Sequence, residues 1–147
     1  MLSEKSYRCE VRAPYEHLWN ALMEEMEHPE QFNKGILGSR ILERFNNGIL
    51  RVTSVPDADV REKIVFDYKK GTLSSQLVGH PVLVGVIEKK IVPHPELKDS
   101  FFLESHIEWE TTSAPVDSMI RRNMERFVTQ SLESVKSTAE TRSIAAY

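Results

Sequence analysis

Cysteine is almost absent from this chain. The single residue, Cys9, excludes an internal disulfide and a multi-cysteine zinc site, and it suits a reducing cytoplasm. Long apolar runs are missing as well: the longest, Val82–Ile87, falls far short of the roughly 20 residues that a bilayer span requires. Met1–Arg12 is interrupted by Glu4, Lys5, Arg8, Glu10 and Arg12, so no secretory leader is expected. Basic charge is not in excess. The 19 Lys+Arg against 22 Asp+Glu leave a net charge of −3, without the positive footprint that a general nucleic-acid binder needs. There is no Gly-x-Ser-x-Gly elbow, no phosphate-binding glycine loop, no His-Glu-x-x-His helix and no internal repeat. What remains is 147 residues, 40% hydrophobic and 28% charged, which predicts one domain able to build a core without staples.

Tyr7–Arg12 alternates apolar and charged residues with the period of a half-buried strand. At Ala13-Pro14 the period changes, and Tyr15, Leu18, Trp19, Leu22 and Met26 recur at helical spacing. That helix should stop at His28, because a residue before proline avoids the α region. Pro29–Lys34 reads as a short second helix with Gly35 just past its end. Six strands follow: Arg40–Phe45, Ile49–Val55, Val60–Tyr68, Thr72–Val78, Val82–Val92 and Ser100–Thr112. Asn46-Asn47-Gly48 predicts a three-residue hairpin loop with Gly48 left-handed. Pro115 then opens an amphipathic helix with the stripe Val116, Ile120, Met124, Phe127, Ser131 and Val135, capped by Ser113. The pattern fades after Ala139, so the expected division is one domain, 1–140, and a mobile tail, 141–147.

Consecutive hairpin links make a curved antiparallel sheet of seven strands the simplest topology, with the last helix on its concave face. This is an α+β arrangement. It resembles the helix-grip fold of the SRPBCC superfamily, which includes START-domain lipid carriers, the birch-pollen allergen family and polyketide cyclases. The opening stretch from Val11 to Phe32, with Ala13-Pro14, then Leu18-Trp19, then a second short helix, carries the likeness. Pro29-Glu30-Gln31-Phe32, Asn47-Gly48-Ile49-Leu50-Arg51 and Val60-Arg61-Glu62-Lys63 are similar to the AtaL-like subfamily. The glycine-rich loop of the plant allergens is not here; Asn46-Asn47-Gly48 stands in its place. The resemblance implies a hydrophobic cavity between sheet and last helix, used for binding or, in some branches, for catalysis.

Hairpin registers place the polar groups. With Asp57-Ala58 at a turn tip, Val55 faces Val60, Thr53 faces Glu62 and Arg51 faces Ile64, making Arg51 and Glu62 diagonal neighbours on the face of Ile64 and Phe66. The first loop would add Glu43 opposite Arg51. This charged cluster has two readings, a structural ion-pair set or a polar contact for an acidic ligand group. On the last strand Phe101, Leu103, Ser105, Ile107 and Trp109 alternate inward, with Trp109 as core or as a stacking surface. His106, beside Glu104 and Glu108, points outward. Glu88 shares the phase of Val82, Val84 and Val86 and is a second candidate pocket carboxylate. Met124, Phe127 and Ser131 complete the wall from the helix. His28–Glu30 and His94–Glu96 are better explained by turn chemistry than by a metal, and Cys9 as a small buried side chain.

The expected function is binding of a small, largely apolar molecule (a lipid, sterol or aromatic polyketide-like compound). Arg51, Glu62, Ile64, Phe66, Leu103, Ser105, Ile107, Trp109, Met124, Phe127 and Ser131 are the candidate contacts. The alternative is a cyclase- or dehydratase-type enzyme with a pocket carboxylate as general base. Neither reading asks for a cofactor, a metal or a nucleic acid.

Overall fold

Alternation and turn chemistry lay out the chain as β1 (Ser3–Arg12), α1 (Tyr15–Glu27), a 3-10 turn at Pro29–Gln31, β2 (Gly38–Phe45), β3 (Gly48–Val55), β4 (Ala58–Asp67), β5 (Thr72–Val78), β6 (Leu83–Pro93), β7 (Ser100–Thr111) and α2 (Ala114–Ala145). The computed structural model describes residues 2–56 and 58–145. The strands form one antiparallel sheet in the order β1-β7-β6-β5-β4-β3-β2, the α+β architecture expected.

α1 starts directly after Pro14, whose carbonyl accepts from the amides of His17 and Leu18. It ends where His28, before Pro29, takes φ −134° and ψ 60°. Its inner face buries Leu18, Trp19, Ala21, Leu22, Glu25 and Met26. The second helix is shorter than expected: Pro29–Gln31 makes one 3-10 turn. The chain then turns on Asn33, whose Nδ2 donates to Phe127 O at 2.9 Å and Ser131 Oγ at 2.8 Å, tying this segment to α2.

The hairpins correct two expected registers. Phe45 pairs with Gly48, so Asn46-Asn47 is a two-residue turn and Gly48 belongs to β3. Gly48 is not left-handed; its reason is steric, since a Cβ there would lie 2.0 Å from the Ile64 carbonyl oxygen. A bulge between Ile41 and Glu43 places Ile41 opposite Arg51 and Glu43, which is exposed, opposite Leu50. In the next hairpin Val55 pairs with Ala58, Thr53 with Val60 and Arg51 with Glu62. This is a two-residue offset from the expected pairing. Side chains therefore keep their faces, but Arg51 and Glu62 become direct neighbours.

α2 is about 48 Å long at 1.5 Å per residue. Ser113 caps it, its Oγ accepting from the Val116 amide at 3.3 Å. Its two halves do different work. Val128, Leu132, Val135 and Ala139 are buried in a cluster with Val11 of β1, Leu103 of β7 and Leu18, Trp19 and Leu22 of α1. Ile120 and Met124 are only half-buried. The helix runs on through residues 141–145, within the stretch expected as a tail. Ser143 is buried against His17 Nδ1 at 2.8 Å, and Arg142 reaches Glu24 at 2.6 Å, so α1 holds the last turns in place. Residues 146–147 of that expected tail lie outside the described residues.

Candidate functional site

α2 buries its C-terminal half but not its N-terminal half, so a gap opens beneath residues 120–131. This cavity of about 280 Å3 has its floor on the concave face of β3–β7 and its roof on α2, and the end of α1 closes one side. Ile64, Leu73, Leu77, Ile87, Ile107 and Met124 provide its apolar surface. Trp109 stands in the wall with its indole Nε1 donating to Asp117 Oδ1 at 2.9 Å. Arg121 sits 5.2 Å from the Trp109 ring centroid and donates to Asp117 Oδ2 at 2.8 Å. Hydrogen bonds from Arg121 first, then Trp109, hold the Asp117 carboxyl below its ordinary value. The indole nitrogen is thus engaged outside, and the ring offers the cavity an apolar edge.

Of the expected contacts, Arg51, Glu62, Ile64, Ser105, Ile107, Trp109, Met124, Phe127 and Ser131 line the cavity. Phe66 and Leu103 do not. Both face inward as alternation demands, but α1 crosses that end of the sheet. Trp19 packs edge-on to Phe66 at 6.1 Å between centroids, and Leu103 is fully buried in the cluster with Leu18 and Leu22. Phe66 instead reaches a second, shallower cleft of about 470 Å3 between α1 and the β2–β3 hairpin. Salt bridges Arg44–Glu27 and Arg142–Glu24 flank that cleft, and its lining lacks the continuous apolar surface of the first cavity. Glu88 is exposed on the outer face. The inward residues of β6 are Leu83, Gly85, Ile87 and Lys89, one step out of the expected phase.

Two polar groupings face the cavity. In the first, Arg51 Nη1 donates to Met26 O at 2.6 Å and Glu25 O at 3.3 Å. Its Nε and Nη2 reach Glu62 Oε1, both at 3.3 Å. Glu62 also accepts from Thr53 Oγ1 at 3.1 Å and Ser75 Oγ at 2.5 Å. Burial alone would raise the Glu62 carboxyl, but the Arg51 charge and the hydrogen bonds from Ser75, Thr53 and Arg51 outweigh it and hold it below the ordinary value. A carboxylate so stabilised is a weak base. Arg51 meanwhile ties the carbonyl end of α1 to the sheet, a favourable place for a cation.

The second grouping was not foreseen. Glu25 of α1 forms a salt bridge with Lys89 of β6, and Lys89 faces Ser105 across the β6–β7 ladder. Glu25 falls in phase with Leu18 and Leu22, and Lys89 lies midway between the inward Ile87 and Ile91. A charge in phase with core residues was the signal available for both.

Elsewhere, Glu4, His106 and Glu108 on the outer face bring one potential metal-ligand atom each to within 4.8 Å of one another. His106 Nδ1 lies 2.6 Å from Ser6 Oγ, and its Nε2 lies 3.2 Å from Glu108 and 3.5 Å from Glu4, geometry that solvent-open ion pairs explain. His94 Nδ1 accepts from the amides of Glu96 and Leu97, both at 3.1 Å, which is the turn chemistry expected there. The Cys9 thiol is pushed up to about 11, chiefly by burial and then by Glu133, so it is no nucleophile near neutral pH.

Solved structures share this architecture from end to end. The Zhui aromatase/cyclase from Streptomyces sp. R1128 matches with a TM-score of 0.83 and 16% identity over 97% of this chain and 96% of its own. Norcoclaurine synthase from Thalictrum flavum, in complex with dopamine and hydroxybenzaldehyde, gives 0.74 and 14% over 93% and 86%. Ara h 8.0201 gives 0.73 and 13% over 93% and 97%. The chain has the helix-grip fold. No protein-family model and no curated protein matches its sequence. No helix among the described residues is long and apolar enough to cross a membrane.

Proposed function

We propose that the protein binds a small, largely apolar molecule in the cavity between the sheet and the N-terminal half of α2. The observation that carries this reading is the unfilled gap itself: about 280 Å3, walled by aliphatic side chains and Trp109, with a few buried polar groups converging on it. A space of that size is unusual in a well-packed domain, and a largely aliphatic lining gives water little to hold. Arg51 and Glu62 contribute to its wall, but their hydrogen bonds are spent on each other and on α1, which supports a framework role. All three stretches similar to the AtaL-like subfamily contribute to the cavity, through Pro29, through Arg51, and through Val60 with Glu62, which supports membership of that branch. A single free cysteine supports a cytoplasmic setting.

The alternative is a cyclase- or dehydratase-type catalyst, favoured by the two neighbours named as an aromatase/cyclase and a synthase. Against Glu62 as its general base stands that group's lowered basicity. Native mass spectrometry of the purified protein, followed by a thermal-shift screen of fatty acids, sterols and aromatic polyketides, tests the binding reading. A ligand at a hundredfold excess over its Kd should stabilise the fold by about 2.7 kcal/mol. If no apolar compound raises the melting temperature, the proposal fails.

A further inference from the structure

The cavity holds two buried polar atoms without partners, Glu25 Oε2 and Ser105 Oγ. Glu25 is 6% exposed and Ser105 1%, so neither is satisfied by bulk water. Unpaired polar atoms this deep are rare in native structures because each keeps its full desolvation cost. Both belong to the grouping around Lys89: Glu25 Oε1 accepts from Lys89 Nζ, and Ser105 is the direct cross-strand neighbour of Lys89. The Arg51–Glu62 grouping, by contrast, is saturated with internal hydrogen bonds. The unmet polar demand of the cavity therefore lies at the Glu25–Lys89–Ser105 end.

The chemistry of that end selects what can meet it. The free carboxylate oxygen of Glu25 accepts only, and its charge already faces Lys89, so the missing partner is a neutral donor. The Ser105 hydroxyl can rotate to donate or accept. A ligand hydroxyl supplies one donor and two acceptor lone pairs and so suits both. An anionic head group would bring its charge against Glu25, and a bare hydrocarbon would leave both atoms unpaired.

Resting on the binding reading above, we propose that the cavity takes an apolar molecule bearing a hydroxyl group, alcohol or phenol, at the end that faces Glu25, Lys89 and Ser105. Three probes of one skeleton test it by isothermal titration of the full chain at pH 7: 2-naphthol, naphthalene and 2-naphthoic acid. The expected order is naphthol tightest, naphthalene about tenfold weaker for lack of a hydrogen bond to a charged group, and naphthoate weakest. Ser105→Ala should narrow the gap between naphthol and naphthalene. Glu25→Gln, which replaces an acceptor by an amide, should raise naphthoate relative to naphthol, and a melting curve shows whether that variant folds. Equal binding of naphthol and naphthalene, naphthoate as the tightest wild-type ligand, or a naphthol preference untouched by Ser105→Ala would each overturn the hydroxyl proposal while the cavity reading stands. Binding of none of the three would overturn both.

Discussion

Glu62→Gln is the sharpest perturbation of the framework beside the cavity. It removes the charge opposite Arg51 and one of the two acceptor oxygens shared among Arg51, Thr53 and Ser75. The side chains of Arg51 and Glu62 are 11% and 15% exposed, so the arginine is left as a buried charge without its counter-ion. Breaking a buried pair from one side costs about 3–5 kcal/mol. The lower end applies here, because Arg51 keeps its bonds to the carbonyls of Met26 and Glu25. For a domain of this length about 3 kcal/mol lowers the melting temperature by roughly 6–12 °C. The pH dependence gives a second reading. The folded Glu62 carboxyl lies below its ordinary value of 4.5, so its contribution is fully present above that value and fades as pH falls through the folded value. The wild-type advantage over Glu62→Gln should therefore be constant from pH 6 to 8 and shrink progressively below about pH 4.5. Urea denaturation followed by circular dichroism across that range measures it. An advantage below about 1 kcal/mol at pH 7, or one indifferent to acid, refutes the reasoning. The double variant Arg51→Met with Glu62→Leu should lose less than the sum of the single losses, since removing both charges leaves no uncompensated ion.

Gly48→Ala should destabilise by about 1–3 kcal/mol in urea melts, because its Cβ would overlap the Ile64 carbonyl and force β3 away from β4. Gly85 tells the opposite story: the nearest atoms to a Cβ there are Glu108 O at 3.4 Å and Trp109 Cβ at 3.8 Å, beside open cavity. Gly85→Val should keep stability within about 1 kcal/mol while weakening any cavity ligand at least tenfold by titration. Asn33→Ala should cost about 1–3 kcal/mol and speed amide exchange over residues 32–37, since that side chain ties the segment to α2. Cys9 should resist a thiol reagent at pH 8 in the native protein and react at once in denaturant.

Alternation, proline and glycine placement and helical spacing carried most of the fold. Each strand and both helices appear within a few residues of their expected places, because local hydrogen bonding and a one-sided core act through neighbouring residues. The faces of β3, β4 and β7 were legible for the same reason, and six cavity residues came with them, while helical spacing supplied Met124, Phe127 and Ser131 from α2. β6 was not legible: Val84 and Val86 on one side and Leu83, Ile87 and Ile91 on the other make both faces apolar, so Glu88 took the place of Lys89. A two-residue register offset in the β3–β4 turn left every face unchanged, which is why Arg51 and Glu62 survived the error.

The order of apolar and polar residues along the chain thus determined which segments become strands and helices, and which side of most strands turns inward. Only the tertiary structure decided where α1 lies across the sheet, covering Phe66 and Leu103 and carrying Glu25 to Lys89. It also decided that α2 packs tightly only along its second half, leaving the cavity under the first. The physical reason is range: a residue's face follows from its immediate neighbours in sequence, whereas the meeting of two residues 64 apart depends on how whole elements cross.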